Sequence, residues 1–271
     1  MEFSLITNDP VVARTADQAG VDRIFIDLER RGKADRQKGR QLFHSTHVPG
    51  DVGVMNRVLA QARLMVRIDP PHDGTREQVT EVIESGADFV MLPYFQHVWQ
   101  AQNFIEFVDG RAATVLLVET AAAAENLPKL ARLPGLSEIH IGLNDLSISL
   151  GREFLFELIS DGTVPALCQI LRDAGLPFGF GGIGSLARND LPIAPEYILA
   201  TQICEGATRG WLGRTFRSLP VEELPNAVSQ LRSAISFWRH ASLEDRRTMM
   251  SSLRTQISAV ADAGKFRSRA A

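Results

Sequence analysis

The chain lacks the usual marks of a membrane, secreted or nucleic-acid-binding protein. No apolar run approaches the roughly 18 uninterrupted residues that a membrane span needs, so no span is expected. There are only two cysteines, Cys168 and Cys204. They form neither a disulfide framework nor a zinc-type pair, and they fit a reducing compartment. Basic charge is not in excess: the formal net charge is −3, which argues against a general nucleic-acid binder. Low-complexity linkers are missing, and Met1 leads straight into strand-like FSLIT rather than a basic-then-apolar leader. These absences predict a soluble cytoplasmic protein forming a single domain over residues 1–271.

What is present is an alternation of short apolar runs with helix-period segments, the pattern of βα units around a parallel sheet. Strand-like runs fall at 3–7, 23–28, 64–68, 89–92, 115–119, 138–142, 177–181 and 197–203. Several are apolar throughout, as strands buried on both faces should be. Helical segments lie between them, at 10–19, 76–85, 97–108, 121–130 and 163–174. The count favours a closed (β/α)8 TIM barrel, a fold that takes about 250 residues, over an open doubly wound sheet. Two amphipathic helices follow, near 221–240 and 243–263. The first carries Leu224, Val228, Leu231, Ile235 and Trp238 at helical spacing. That stripe must be buried, either on the barrel's own wall or against a partner subunit. The second alternative predicts a homo-oligomer built from dimers, with 221–263 at the interface.

In such a barrel the chemistry sits where the strands end. The residues following the apolar runs include Asp27, Glu29, Arg67, Asp69, Pro93, Glu119, Asn144 and Asp145. Polar groups converging there are costly to bury without partners, so together they mark a site. Glu119 and Asp145, on neighbouring strand ends, can give hard oxygen ligands to Mg2+, with Mn2+ or Co2+ also suited. The same spacing equally fits Glu119 capping the next helix and Asp145 ordering its own turn. Arg67 can grip a carboxylate with two prongs, or can close an ion pair with Asp69 or Glu29.

The segments VDRIFIDLE, LMVRI, GADFVMLPYF, LVETAAAAENL and IHIGLNDLSISLG resemble the HpcH/HpaI aldolase and citrate lyase β-subunit family. These are metal-dependent barrels of the pyruvate/phosphoenolpyruvate superfamily. The resemblance implies that Glu119 and Asp145 hold the metal and that Arg67 binds a pyruvate-like carboxylate and its enolate oxygen. It also implies that backbone amides near Pro93 and Gly142 line the pocket. The activity it implies is a metal-dependent carbon–carbon lyase or condensing enzyme, acting through the enolate of a pyruvate- or oxaloacetate-like α-keto acid.

One departure stands out. The aldolase branch follows the acidic residue of its second strand with a histidine, and Arg30 holds that position here. An arginine cannot serve as a general base. Glu29, a metal-bound water, or His44 or His47 from the following loop could take the proton instead. Loss of the histidine shifts weight towards a Claisen-type reaction with an anionic partner, for which Arg30 and the run RRGKADRQKGR offer a cationic collar. The glycine-rich FGFGGIG could add N–H donors to an anion or merely allow a tight turn. Two other readings stay open: a metal- and ligand-binding barrel that has lost its base, and a phosphate-binding barrel isomerase.

Overall fold

The computed structural model describes residues 1–32 and 45–263. Nine short parallel strands form one sheet: β1 (Glu2–Ile6), β2 (Arg23–Asp27), β3 (Arg63–Arg67), β4 (Phe89–Leu92), β5 (Ala113–Val118), β6 (Glu138–Ile141), β7 (Phe178–Phe180), β8 (Gly182–Ile183) and β9 (Arg209–Leu212). Their order is β7-β6-β5-β4-β3-β2-β1-β9-β8. β7 and β8 are two pieces of one strand broken at Gly181, whose φ is +56°. β7 pairs with β6 and β8 with β9, so this broken strand closes the ring. Thr208 N–H donating to Phe178 O at 2.8 Å completes the seam. The architecture is therefore the expected TIM-type barrel with C-terminal helices.

Alternation along each strand sorts side chains into two sets, because successive Cβ atoms point to opposite faces. Ile24, Ile26, Leu64, Val66, Val90, Leu92, Leu116 and Val118 pack outward in the large core shared with the helices. Phe25, Met65, Phe89, Met91, Val115 and Leu117 fill the lumen as a separate cluster. One residue further down each lumen-facing row lie Arg23, Arg63 and Glu138; one further up lie Asp27, Arg67 and Glu119. The barrel is thus apolar in its middle and charged at both ends.

The run at 197–203, read as a strand, is instead the helix Pro195–Cys204, and the last barrel strand is β9. That helix is covered by the barrel on one side and by the two C-terminal helices on the other. Its apolar residues therefore go nearly all the way round and hide the helical period. The segment 121–130 forms two short helices, Ala121–Glu125 and Leu127–Leu130, rather than one.

Leu224, Val228, Leu231, Ile235 and Trp238 are all buried within the chain itself, where the helix Leu224–His240 packs on the helices Pro10–Gln18 and Pro195–Cys204. Within the chain the stripe is therefore buried on the barrel's own wall, the first of the two alternatives. Arg232 fixes this helix to the start of the chain by donating to Met1 O at 2.6 Å and Gly20 O at 2.8 Å. Among the described residues no helix is long and apolar enough to cross a membrane.

Candidate active site

The strand ends bring Asp27, Arg67, Glu119 and Asp145 to one mouth. Arg67 closes β3 and donates from Nε to Asp27 Oδ1 and from Nη2 to Asp27 Oδ2, both at 2.8 Å. Glu29 Oε2 lies 3.4 Å from Nε. Burial works against the guanidinium's charge, but Asp27 foremost, then Glu29 and Glu119, push its pKa up from the ordinary arginine value. The two-pronged grip expected for a ligand carboxylate is thus made with Asp27. Asp69, the ion-pair partner considered from sequence, instead accepts the backbone N–H groups of Arg30 and Arg31 at 2.8 and 2.9 Å.

Glu119 follows β5 and is 3% exposed. Its Oε1 accepts the backbone N–H of Tyr94 at 3.0 Å. Tyr94 adopts φ +47°, a left-handed conformation unusual for a bulky residue, and this arrangement holds the carboxylate in place. Glu119 does not cap the following helix; Thr120 does, accepting from Ala123 N–H at 3.1 Å. Across the gap, a Cβ on Gly142 would stand 2.8 Å from Glu119 Oε2. Only glycine leaves the carboxylate its room. Gly142 supplies space rather than a donor, since its own N–H is spent on Val118 O at 2.9 Å. Pro93 is buried just before Tyr94 and has no N–H to give. Asp145 lies buried in the first turn of the helix Leu143–Ser149, three residues beyond Gly142.

Two buried carboxylates at neighbouring strand ends fit a hard divalent ion, which commonly takes one or two protein carboxylates and fills the rest of its shell with water and substrate. Among the described residues no group of three or more His, Cys, Asp and Glu side chains could hold a metal, so the fit rests on this sparse donor set.

His47 is 3% exposed, and its Nδ1 accepts the backbone N–H of Asp27 at 3.0 Å. A peptide N–H can only donate, so Nδ1 is unprotonated and the ring proton sits on Nε2. The one lone pair of the neutral ring is therefore occupied. In this arrangement His47 turns its lone pair to the Asp27 N–H and carries its ring proton on Nε2. Arg30 lies where the family histidine would be, and its Nη2 donates to His47 O at 2.8 Å. Its backbone N–H is also held, by Asp69 Oδ1. His44, Lys33, Arg36, Lys38 and Arg40 lie outside the described residues.

The FGFGGIG glycines serve packing and turning. A Cβ on Gly179 would fall 2.2 Å from Arg209 O, and Gly181 makes the left-handed break. Beneath the mouth, His140 stacks on Trp211 at 3.8 Å between centroids and 3° between planes. It donates from Nε2 to Gly181 O at 3.1 Å. Sequence reasoning missed two residues of the mouth. Asp27 was noted only as a strand end, and Arg217 went unnoticed because the last strand was misplaced. The R-x-x-R of Arg214 and Arg217, one glycine after RGWL, was the available signal.

A family model described as HpcH/HpaI aldolase/citrate lyase matches residues 3–170. Among curated proteins, none matches the sequence. Solved structures similar in fold include an HpcH/HpaI aldolase from Desulfitobacterium hafniense DCB-2, 17% identical with a TM-score of 0.58 over 87% of this chain and 92% of that one. An HpcH/HpaI aldolase/citrate lyase family protein from Burkholderia cenocepacia J2315 is 16% identical, with a TM-score of 0.61 over 85% and 94% of the two chains. The citrate synthase SbnG is 16% identical, with a TM-score of 0.60 over 86% and 93%.

Proposed function

The chain belongs to the HpcH/HpaI aldolase/citrate lyase family, and from that premise we propose that it is a metal-dependent carbon–carbon lyase or condensing enzyme working through the enolate of a pyruvate- or oxaloacetate-like α-keto acid. The observation that carries the reading is that Glu119 and Asp145 are both buried at the mouth that holds Arg67, with Gly142 leaving the Glu119 carboxylate its room. A divalent ion, Mg2+ first among candidates, would be held by Glu119 and Asp145 and would polarise the keto group.

Arg67 supplies fixed positive charge where an enolate oxygen develops, and Asp27 keeps its plane in place. Nε and Nη2 face Asp27, so Nη1 is the nitrogen assigned to the ligand. Glu29, buried beside Arg67, takes the proton role that neither Arg30 nor His47 can fill. His47 contributes its Nε2–H as a donor, and its ring buttresses the end of β2.

A barrel that binds metal and keto acid without turnover is the second reading, favoured by the occupied lone pair of His47. Deuterium exchange at the pyruvate methyl in heavy water, followed by proton NMR, separates the two. The enzyme reading predicts exchange with Mg2+ present and its loss in Glu29→Gln. Absence of exchange from the metal-loaded wild type leaves the binding barrel.

A further inference from the structure

The lumen-facing row of β6 runs Glu138, His140, Gly142, and that of β9 runs Arg209, Trp211, Gly213. Between these two strands the β7–β8 strand breaks at Gly181. No side chain therefore stands above His140 or Trp211 in its own row, where β2, β3 and β5 put Asp27, Arg67 and Glu119. What lies uppermost there is a pair of rings. Trp211 stacks face to face on His140, 3.8 Å between centroids and 3° between planes, and it meets Phe25 edge-on at 5.1 Å and 65°. The guanidinium of Arg67 lies 5.6 Å from the Phe25 centroid, so the stack adjoins the site through one shared ring.

The stack carries no charge. Burial pushes the His140 pKa down to about 3, so the ring is neutral at neutral pH, and its Nε2–H is spent on Gly181 O. Beneath the stack the base is shut: Arg23 and Glu138 are buried and joined, and Arg209 Nε reaches Glu138 from β9. His140 is itself buried, whereas Trp211 is only partly so. With the base shut, the uncovered part of the indole looks to the mouth. Ile6 on β1, the strand paired with β9, is also only partly buried against the lumen cluster. It continues the apolar ground. The mouth thus has a charged side and an aromatic side.

We propose that Trp211 is a specificity-determining floor of the mouth: with the keto-acid head among Arg67, Glu119 and Asp145, the substrate lays a flat apolar tail, such as an aryl ring, on the indole. This rests on the keto-acid reading above and names the class of tail within it. An uncovered indole gains by burying apolar carbon and by ring contact. A carboxylate laid on the same ring would give up its water.

The test is calorimetric titration of the Mg2+-loaded full chain with 2-oxo-4-phenylbutanoate, 2-oxobutanoate and 2-oxoglutarate. The first two differ by the phenyl ring, and the third carries a charged tail. The wild type should bind the phenyl acid at least about tenfold tighter than 2-oxobutanoate, as burial of one ring implies. Trp211→Leu, apolar but not flat, should cut that ratio at least about threefold, and Trp211→Phe should keep most of it. Each variant is scored only with a wild-type melting curve. Should neither reach it, the wild type decides through NOE contacts between the ligand's phenyl protons and the indole, whose absence overturns the assignment. So does a wild type without the phenyl preference, one that binds 2-oxoglutarate tightest, or a Trp211→Leu variant that keeps the full ratio. Pyruvate exchange in the wild type is measured separately. Preference without exchange leaves the floor standing and removes the lyase reading; exchange without preference removes the floor alone.

Discussion

At the N-terminal end of the barrel, Arg23 donates to Glu138 Oε1 at 2.5 Å and to Glu2 at 2.5 Å, while Arg209 Nε meets Glu138 Oε2 at 2.6 Å and its Nη1 lies 3.5 Å from Glu2. Arg23 also stacks over Phe89, 3.8 Å from the ring centroid. At the C-terminal end, Arg67 alone among the lumen-row residues faces Asp27, Glu29 and Glu119, with Asp145 on the next strand end. The first cluster sets Arg23, Arg209 and, at 4.0 Å from Glu2, Arg63 against two glutamates, a network closed within the chain. The second gathers Asp27, Glu29 and Glu119 around the buried Arg67. An ion-pair network closed on itself at the base reads as stability, and carboxylates gathered at the strand ends read as binding, in line with the division of labour between the faces of this fold.

The widest split between the ends should come from Glu138→Gln. It leaves Arg23 and Arg209 leaning on Glu2 alone, and breaking one side of a buried ion pair costs about 3–5 kcal/mol. Urea unfolding should show that loss, with ligand affinity at the mouth preserved in the folded fraction. A variant as stable as the wild type would show that the basal network is not structural.

Arg67→Lys should act in the other sense. A lysine keeps a charge beside Asp27 and Glu29 but not the planar grip, so kcat/KM should fall by an amount worth about 2–4 kcal/mol, as for removal of one oxyanion donor. Melting should change far less than in Glu138→Gln. Near-normal turnover would make Arg67 only a clamp for Asp27.

A contrast read through pH lies between the two ends, at His140. Burial, opposed by the Gly181 hydrogen bond and helped by Arg67 and Arg23, pushes its pKa down to about 3. In the unfolded chain it titrates near about 6.5. Between those values the unfolded state takes up the extra proton. Stability should therefore fall as pH drops from about 6.5 towards about 3, by up to about 1.4 kcal/mol per pH unit from this group. His140→Phe should flatten that part of the profile relative to wild type in urea midpoints taken from pH 7 to pH 4. Parallel profiles would mean that the ring is protonated in the fold.

Strands β2 to β5 were legible because their lumen and wall faces are both apolar in the middle, a double burial that writes itself as runs such as IFI and TVLLV, while β1 and β6 showed through their wall residues Phe3, Leu5, Ile139 and Ile141. β9 was not. Arg209 turns into the basal charge cluster, and a Cβ on Gly210 would meet Ile183 at 2.7 Å, so RGWL carries almost no apolar signal. The run YILATQI looked like a strand because helices cover it on the side opposite the barrel. Glu119, Asp145 and Arg67 could be picked out as polar residues after apolar runs. The pairing of Arg67 with Asp27, and the Asp27 N–H on His47, depend on parallel register and on a loop returning to its own strand. Neither is encoded by local spacing.

The role of the two mouth carboxylates is tested most directly by titrating Mn2+ into the wild type, Glu119→Gln and Asp145→Asn in a calorimeter, each checked for an unchanged melting curve before metal is added. The account predicts one site in the wild type and its loss in both variants. Unchanged affinity in both, or a wild type that takes up no ion, would contradict it.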